Sequence, residues 1–297
     1  MKKEPTFQTY TERLIDSLIA ARREGTAHIY RSMLRRVEDF AGTERDLRFR
    51  HITPAWLTAF QNYLLARGAK WNTVSTYLRM LRAVYLRAVD EGLTLYRPRL
   101  FHSVYTGTRA TAKRALDEQT LRHLYASAPL PARKLEQTRR LFLLLFMLRG
   151  IPFVDIAYLR RCDLHGNILA YRRRKTGAGL SVRIEEEAMK LICSLQNPDP
   201  HSHYLFPFIR KPGKDEYRQY QNALRRINYN LKLLAHQIDC PEILTTYCAR
   251  HSWATIANFR DYQHELICNA MGHSSVKVTE IYLKKHSEER IHAMNKE

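Results

Sequence analysis

The sequence predicts a mainly α protein of two domains. Residues 1–105 form an N-terminal four-helix domain. Residues 116–297 form an α-rich domain with a small antiparallel β-sheet, and a basic linker spans 106–115. Three observations carry this. Apolar residues recur at three- and four-residue steps along most of the chain. One short stretch shows strand character around a glycine-rich turn. The chain has 297 residues, 45% of them hydrophobic, which is enough material for two cores.

In the first helix Leu14, Ile15, Leu18 and Ile19 make an apolar stripe, and in the second Ile29, Met33, Leu34, Val37 and Phe40 do the same. The third opens at Thr53-Pro54, a cap followed by a first-turn proline, runs through Trp56, Leu57, Phe60 and Leu64, and stops at Gly68. The fourth opens near Asn72 or Thr73 and stops at Gly92. It carries Val74, Tyr77, Leu78, Leu81, Val84, Tyr85 and Leu86, with Arg79, Arg82 and Arg87 on its polar side. Periodicity is lost over 93–114, which holds Pro98, Gly107 and six basic side chains, His102 included. Helices resume at LDEQTLRHLYASA, at TRRLFLLLFMLRG, which ends at Gly150, and from Pro152 through Ile156 and Leu159. NILAYRRR and LSVRI form a hairpin with Thr176-Gly177-Ala178-Gly179 at its tip. Helices return at EEEAMKLICSL, at YRQYQNALRRINYNLKLLAHQ, at ARHSWATIANF and at the C-terminus.

Lys and Arg number 49 and Asp and Glu 29, a net charge of +20. Residues 1–105 carry +8 and the remainder +12. A basic tail on a neutral enzyme is excluded, and both halves are expected to face a polyanion, first of all nucleic acid. The N-terminus lacks the apolar core of a signal peptide, and the longest apolar run, Leu141–Leu148, is about half of a bilayer crossing. A cytoplasmic, nucleoid-associated protein with no membrane partner is expected. The five cysteines, Cys162, Cys193, Cys240, Cys248 and Cys268, contain no C-x-x-C pair and are expected to be reduced and mostly buried. His201 and His203 have no Cys or carboxylate cluster beside them, so no metal and no cofactor is expected.

Signatures of phosphate-loop, serine-hydrolase and zinc-protease chemistry are missing. Acidic residues of the second domain are scattered, which disfavours two-metal phosphoryl chemistry. Cutting DNA with side chains alone needs fixed cations, a proton donor and, to conserve the bond, a nucleophile. The last 52 residues hold such groups. TTYCARHSWAT brings Arg250 and His251 to the start of a helix. MGHSSVKVTEIYLKKH puts Gly272-His273-Ser274-Ser275 in a turn and Tyr282 nine residues after His273, and Lys175 sits at the mouth of the hairpin turn.

This set resembles the tyrosine recombinase (phage integrase) family, whose catalytic domain ends in H-x-x-R-H, L-G-H-S and T-x-x-Y and carries a lysine, often in K-T-G, on a hairpin. The resemblance covers the whole chain. It implies an N-terminal core-binding (SAM-like) helical domain and a catalytic domain that together clamp double-stranded DNA. Tyr282 then corresponds to the nucleophile that forms a 3′-phosphotyrosine; a phenol has a reference pKa of about 10 and needs a cationic site. Arg250 corresponds to a bidentate phosphate donor, Lys175 to the general acid for the departing 5′-hydroxyl, His273 to a phosphate donor and His251 to a supporting histidine. Arg172, Arg173 and Arg174 join Arg79, Arg82 and Arg87 as expected DNA contacts.

Two positions depart from the family pattern. Pro152 stands in the arginine slot of T-G-x-R-x-x-E, and Arg149, almost one helical turn earlier, is the expected substitute. Tyr247 occupies the first-histidine slot, where a neutral phenol can still donate to a phosphate oxygen. Both departures resemble a subgroup found on mobile elements and invertible DNA regions of Bacteroidetes-type bacteria. The resemblance further implies a monomer or weakly associated chain when free and a homotetramer on DNA, with integration, excision or inversion as the outcome. With only Met1–Phe7 ahead of the first helix, no extra arm-binding domain is expected. The alternatives are a catalytically inactive DNA-binding relative, a type IB topoisomerase-like activity and a metal-dependent nuclease.

Overall fold

The computed structural model describes residues 5–42, 46–111, 114–240 and 242–283. The chain divides into two units, Met1–Thr111 and Ala112–Glu297. In the first, α1 (Phe7–Ala20) starts where the Thr6 hydroxyl accepts from the Thr9 amide at 3.1 Å. It is followed by α2 (Glu24–Ala41), α3 (Pro54–Ala66) and α4 (Trp71–Asp90). The Thr53 hydroxyl caps α3 through the Trp56 amide, with Pro54 at the first helical position. The apolar stripes meet in one core around Met33, Phe49, Phe60, Leu78 and Tyr85. Arg79, Arg82 and Arg87 stand exposed on α4.

The aperiodic stretch after α4 is tied to this unit. Leu100, Phe101 and Val104 are buried in its core. The Tyr85 hydroxyl donates to the Leu95 carbonyl at 2.7 Å and accepts from the Arg97 amide. Gln61 accepts from the Tyr105 amide, and Ser75 donates to the Gly107 carbonyl. The Asn72 carboxamide makes two 2.8 Å hydrogen bonds with the backbone of Arg109, whose guanidinium lies 4.2 Å from the centroid of the Trp71 ring. These side chains satisfy backbone groups that lack a periodic partner.

In the second unit α5 (Glu118–Ala126), α6 (Arg133–Met147) and α7 (Phe153–Ala157) precede a three-stranded antiparallel sheet in the order β1 (Leu164–His165), β2 (Ile168–Arg172), β3 (Gly179–Arg183). Then come α8 (Glu186–Leu195), α9 (Glu216–Gln237), α10 (Thr246–Phe259), α11 (His264–Met271) and α12 (Val276–Glu280). α6 is the central helix, with Leu141, Phe142, Leu143, Leu144 and Leu145 all buried and α8, α9 and α10 packed around it. Strand β1 is only two residues long, joined to β2 through Gly166 in the left-handed region, and too short to show alternation in the sequence. In the main pair Leu169 faces Val182 and Tyr171 faces Leu180.

Among the described residues no helix is long and apolar enough to cross a membrane, and no group of three or more His, Cys, Asp or Glu could hold a metal ion. All five cysteines are free, but only Cys248 and Cys268 are buried. Cys240 is partly covered, and Cys162 and Cys193 are exposed.

The Asn72 clasp has a local consequence. Asn72→Ala removes two hydrogen bonds, each worth about 0.5–1.5 kcal/mol. Trypsin should then cut after Arg109 faster than in the parent chain, while the overall melting temperature moves little.

Candidate active site

The end of α6 sets the site. Arg149 (φ +57°) and Gly150 (φ +65°) are two consecutive left-handed residues that turn the chain back sharply. The turn brings the Gly150 carbonyl under Arg250 of α10, which donates to it through Nη1 at 2.7 Å. A Cβ on Gly150 would lie 2.6 Å from the Arg250 Cα, so the turn admits only glycine there. Arg250 is 2% exposed and its Nη2 donates to the Met271 carbonyl at 2.8 Å. That carbonyl is left open because α11 ends on Gly272 in the left-handed conformation (φ +63°).

The same Nη2 reaches His273 Nε2 at 2.7 Å. A guanidinium only donates, so Nε2 accepts, and Nδ1 carries the hydrogen and donates to the Thr279 hydroxyl at 2.9 Å. Burial first, then the charges of Arg250, Arg173 and Lys175, hold the imidazole down to about 3. His273 is therefore neutral at ordinary pH.

Tyr282 follows α12 and sits in an aromatic cage. Its ring stacks on His273 at 4.8 Å and lies 4.9 Å from His251, with the Arg250 guanidinium carbon 5.4 Å from its centroid. Its hydroxyl shares a short hydrogen bond with the Tyr247 hydroxyl. Its backbone carbonyl accepts from His251 Nδ1 at 3.1 Å and from Thr255. Burial of its hydroxyl end and the bond to Tyr282 push the Tyr247 phenol up, although 48% of the residue is exposed. Tyr247 is thus a neutral phenol at ordinary pH, and its hydroxyl meets the Tyr282 hydroxyl.

Of the residues singled out in the sequence, Arg250, His273, Tyr282, Tyr247 and His251 are brought together. Lys175 is exposed on the hairpin tip, close enough for its charge to act on His273. Arg149 is not brought there. Helix α6 ends at Met147, so the one-turn spacing to Pro152 does not hold, and the left-handed backbone sends the side chain to the Ser181 carbonyl at 3.3 Å. It lines an apolar groove of about 970 Å³ together with Leu121, Phe146, Trp253 and Leu266.

The three hairpin arginines also part company. Arg172 is exposed and bonds the Gly177 carbonyl, and Arg174 is exposed and lies over the Tyr158 ring. Arg173, by contrast, is only 6% exposed and turns inward from its two neighbours. Its Nε pairs with Asp155 Oδ2 at 2.7 Å, off the axis of a linear hydrogen bond, and its Nη1 donates to the carbonyls of Met271 (2.5 Å) and Gly272 (3.2 Å). Asp155 Oδ1 accepts from the Arg174 amide, and burial raises the carboxyl while that amide and Arg173 oppose it. The signal was present in the sequence: strand alternation puts Leu169, Tyr171 and Arg173 on one inward face.

The neutral His273 links the site to stability. An unfolded histidine titrates near 6.5. From about 6.5 down to about 3 the unfolded chain takes up a proton that the folded chain refuses, so stability falls as pH falls through that window. His273→Gln removes the group. The parent melting temperature should drop more steeply between about pH 7 and pH 4 than that of the variant; equal slopes would contradict a neutral imidazole.

Residues 6–103 match the family profile described as the phage integrase SAM-like domain, and residues 114–289 match that of the phage integrase family. No curated protein matches the chain in sequence. Among solved structures the chain is similar to a lambda integrase tetramer bound to a Holliday junction, with 13% identity, TM-score 0.66, and 95% of this chain and 78% of that one covered. It is also similar to the integrase of the Tn1549 transposon in complex with a circular intermediate DNA, with 15% identity, TM-score 0.66 and 98% of both chains covered. These likenesses extend the expected fold class to both units. The catalytic-domain match alone spans more than half of the residues, and with it the chain belongs to the phage integrase family, the tyrosine recombinases, enzymes of site-specific DNA recombination.

Proposed function

We propose that Tyr282 is the nucleophile of this recombinase and that Arg250, His273 and Lys175 act on the scissile phosphate, with Tyr247 and His251 positioning the tyrosine. The carrying observation is the cage: the Tyr282 ring is held on His273 beside the buried Arg250, with its hydroxyl engaged by Tyr247. Tyr282 Oη attacks phosphorus; Tyr247 Oη takes up the Tyr282 proton as it releases its own to solvent, so Tyr247 ends as a neutral phenol. The bond to the 5′-oxygen breaks, and Lys175 Nζ gives that oxygen a proton. The DNA 3′-end is left on Tyr282 as a phosphotyrosine, which a 5′-hydroxyl of the partner strand reverses. The bond energy is conserved, so no nucleotide hydrolysis enters.

Double-stranded DNA is the substrate, and four protomers exchange strands in pairs; the free chain is monomeric or weakly associated. The cytoplasm, on the nucleoid, is the compartment that fits. The exposed arginines Arg79, Arg82 and Arg87 of α4 and Arg172 and Arg174 of the hairpin are the phosphate contacts. The family often docks a C-terminal tail on a neighbouring protomer. Residues 284–297 of this chain lie outside the described residues, and the apolar groove between α5, α6, α10 and α11 suits such a tail.

Covalent capture tests the reading. The protein is incubated with sheared genomic DNA of its source cell, denatured, and the DNA that remains attached is sequenced. The parent chain should retain DNA through its 3′-end at one sequence, and Tyr282→Phe should retain none while binding the same duplex. An adduct that persists in Tyr282→Phe moves the nucleophile elsewhere, with Tyr247 the first place to look.

Binding carries its own expectation. With +20 net charge spread over both units, about 8 neutralised phosphates give a log–log salt slope near −7. Titration of the captured duplex at several salt concentrations measures it; a slope shallower than about −3 would place the charge away from DNA.

A further inference from the structure

The family's usual arginine slot holds Pro152, and Arg149 points away from the site. Nucleophilic attack on a phosphodiester raises the charge on the non-bridging oxygens from one negative to two as the pentavalent state forms. Arg250 meets this poorly alone. Three of its five N–H groups are committed, to Gly150, Met271 and His273, and its buried Nε has no partner among the described residues. His273 is neutral and adds no charge.

Arg173 lies beside Arg250. Both guanidinium groups donate to one carbonyl oxygen, that of Met271, at 2.5 and 2.8 Å, so their nitrogens are at most about 5 Å apart. Two buried like charges at that separation repel unless something compensates them. Asp155, with its side chain fully buried, compensates one. Arg173, Arg250 and Lys175 less Asp155 leave two positive charges, equal to the negative charge of the pentavalent state. Arg173 Nη2 makes no hydrogen bond among the described residues.

The cation is rigidly set. Nε rests on Asp155 of α7, Nη1 on the turn after α11, and the backbone is the inward continuation of β2. Gly272 leaves room for it: a Cβ there would come within 3.3 Å of the Arg173 Cγ. Arg173 is thus fixed by the same Met271–Gly272 turn that fixes Arg250 and presents His273. Its charge acts on both His273 and Tyr247.

We propose that Arg173 is a catalytic residue: its guanidinium, together with that of Arg250, binds the non-bridging oxygens of the scissile phosphate, in place of an arginine at position 152. This rests on the reading of Tyr282 as nucleophile.

The test uses the full chain and a nicked duplex of the captured sequence, with either a phosphodiester or a methylphosphonate at the scissile position. A methyl group in place of one non-bridging oxygen removes the charge that Arg173 is proposed to meet. Arg173→Ala should form the 3′-adduct about 10²–10³-fold more slowly than the parent on the phosphodiester, the cost typical of losing one such donor. On the methylphosphonate it should come within about tenfold of the parent on at least one diastereomer. Arg173→Lys should remain impaired on the phosphodiester, because an ammonium does not reproduce the fork.

Removing Arg173 strands a buried carboxylate, so Arg173→Ala/Asp155→Asn is made as well, and the melting temperature of each variant is compared with that of the parent. An equal loss on both substrates by a folded variant, or no loss on either, overturns the proposal and leaves Arg173 a packing residue. Tyr282→Phe should form no adduct on either substrate; an adduct there overturns the nucleophile reading and not the cation reading. A parent chain that captures no DNA overturns both.

Discussion

The buried guanidinium of Arg250 is the interaction on which the rest of the second unit's chemistry depends. Taking a permanent cation out of water costs several kcal/mol unless acceptors surround it. Here those acceptors come from two separate turns of the chain: the Gly150 carbonyl after α6, and the Met271 carbonyl with His273 Nε2 at the end of α11. Each lies in a turn that breaks a helix, and each turn uses a left-handed glycine, Gly150 or Gly272. The helix ends supply carbonyls with no intrahelical partner, and the negative end of α11 favours a cation. Arg250 thereby locks the α6 turn, α10 and the α11–α12 turn into one arrangement.

The proposed nucleophile is held through that arrangement. Tyr282 follows a helix of only five residues, too short to order itself. Its position comes from His251 and Thr255 on its carbonyl, His273 against its ring and Tyr247 at its hydroxyl. His273 is in turn oriented by Arg250 on one nitrogen and buried Thr279 on the other. A phenol placed in advance needs less ordering when the phosphate arrives, which is where orientation lowers a barrier. A charged His273 beside Arg250, Arg173 and Lys175 would break this, and the depressed imidazole keeps the bond to Arg250 intact.

Much of this was legible in the sequence because it is local or periodic. The four N-terminal helices, the Thr53-Pro54 cap, the hairpin and the spacing from His273 to Tyr282 all follow from patterns within a dozen residues. What was not legible depends on long-range partners or on single backbone angles. Arg149 looked like a substitute for a residue at 152 because three positions make almost a helical turn, and two consecutive left-handed residues, one of them not glycine, cancel that geometry. The segment after α4 reads as a basic linker since nothing periodic marks it, and its ties to Asn72, Ser75 and Gln61 leave no local pattern. Arg173 was grouped with its neighbours by charge. Extending the alternation of Leu169 and Tyr171 by one step would have turned it inward, away from Arg172 and Arg174.

A hairpin is a suitable place for that inward arginine. A helix terminus positions a side chain through one turn of backbone, which frays. The β2–β3 pair is held by its ladder, by buried Leu169 and Val182, and by hydrogen bonds across its tip between Arg173 and both Ala178 and Gly177. Two residues farther on, Lys175 stands exposed, with no hydrogen bond or ion pair to restrain it among the described residues. One short element therefore carries a cation clamped by Asp155 and a cation free to swing. The proposed reaction would use both behaviours: a fixed charge where negative charge accumulates, and a proton donor that can follow a departing oxygen. Placing both on one hairpin couples them, because any shift of the sheet that moves Lys175 toward the phosphate carries Arg173 with it.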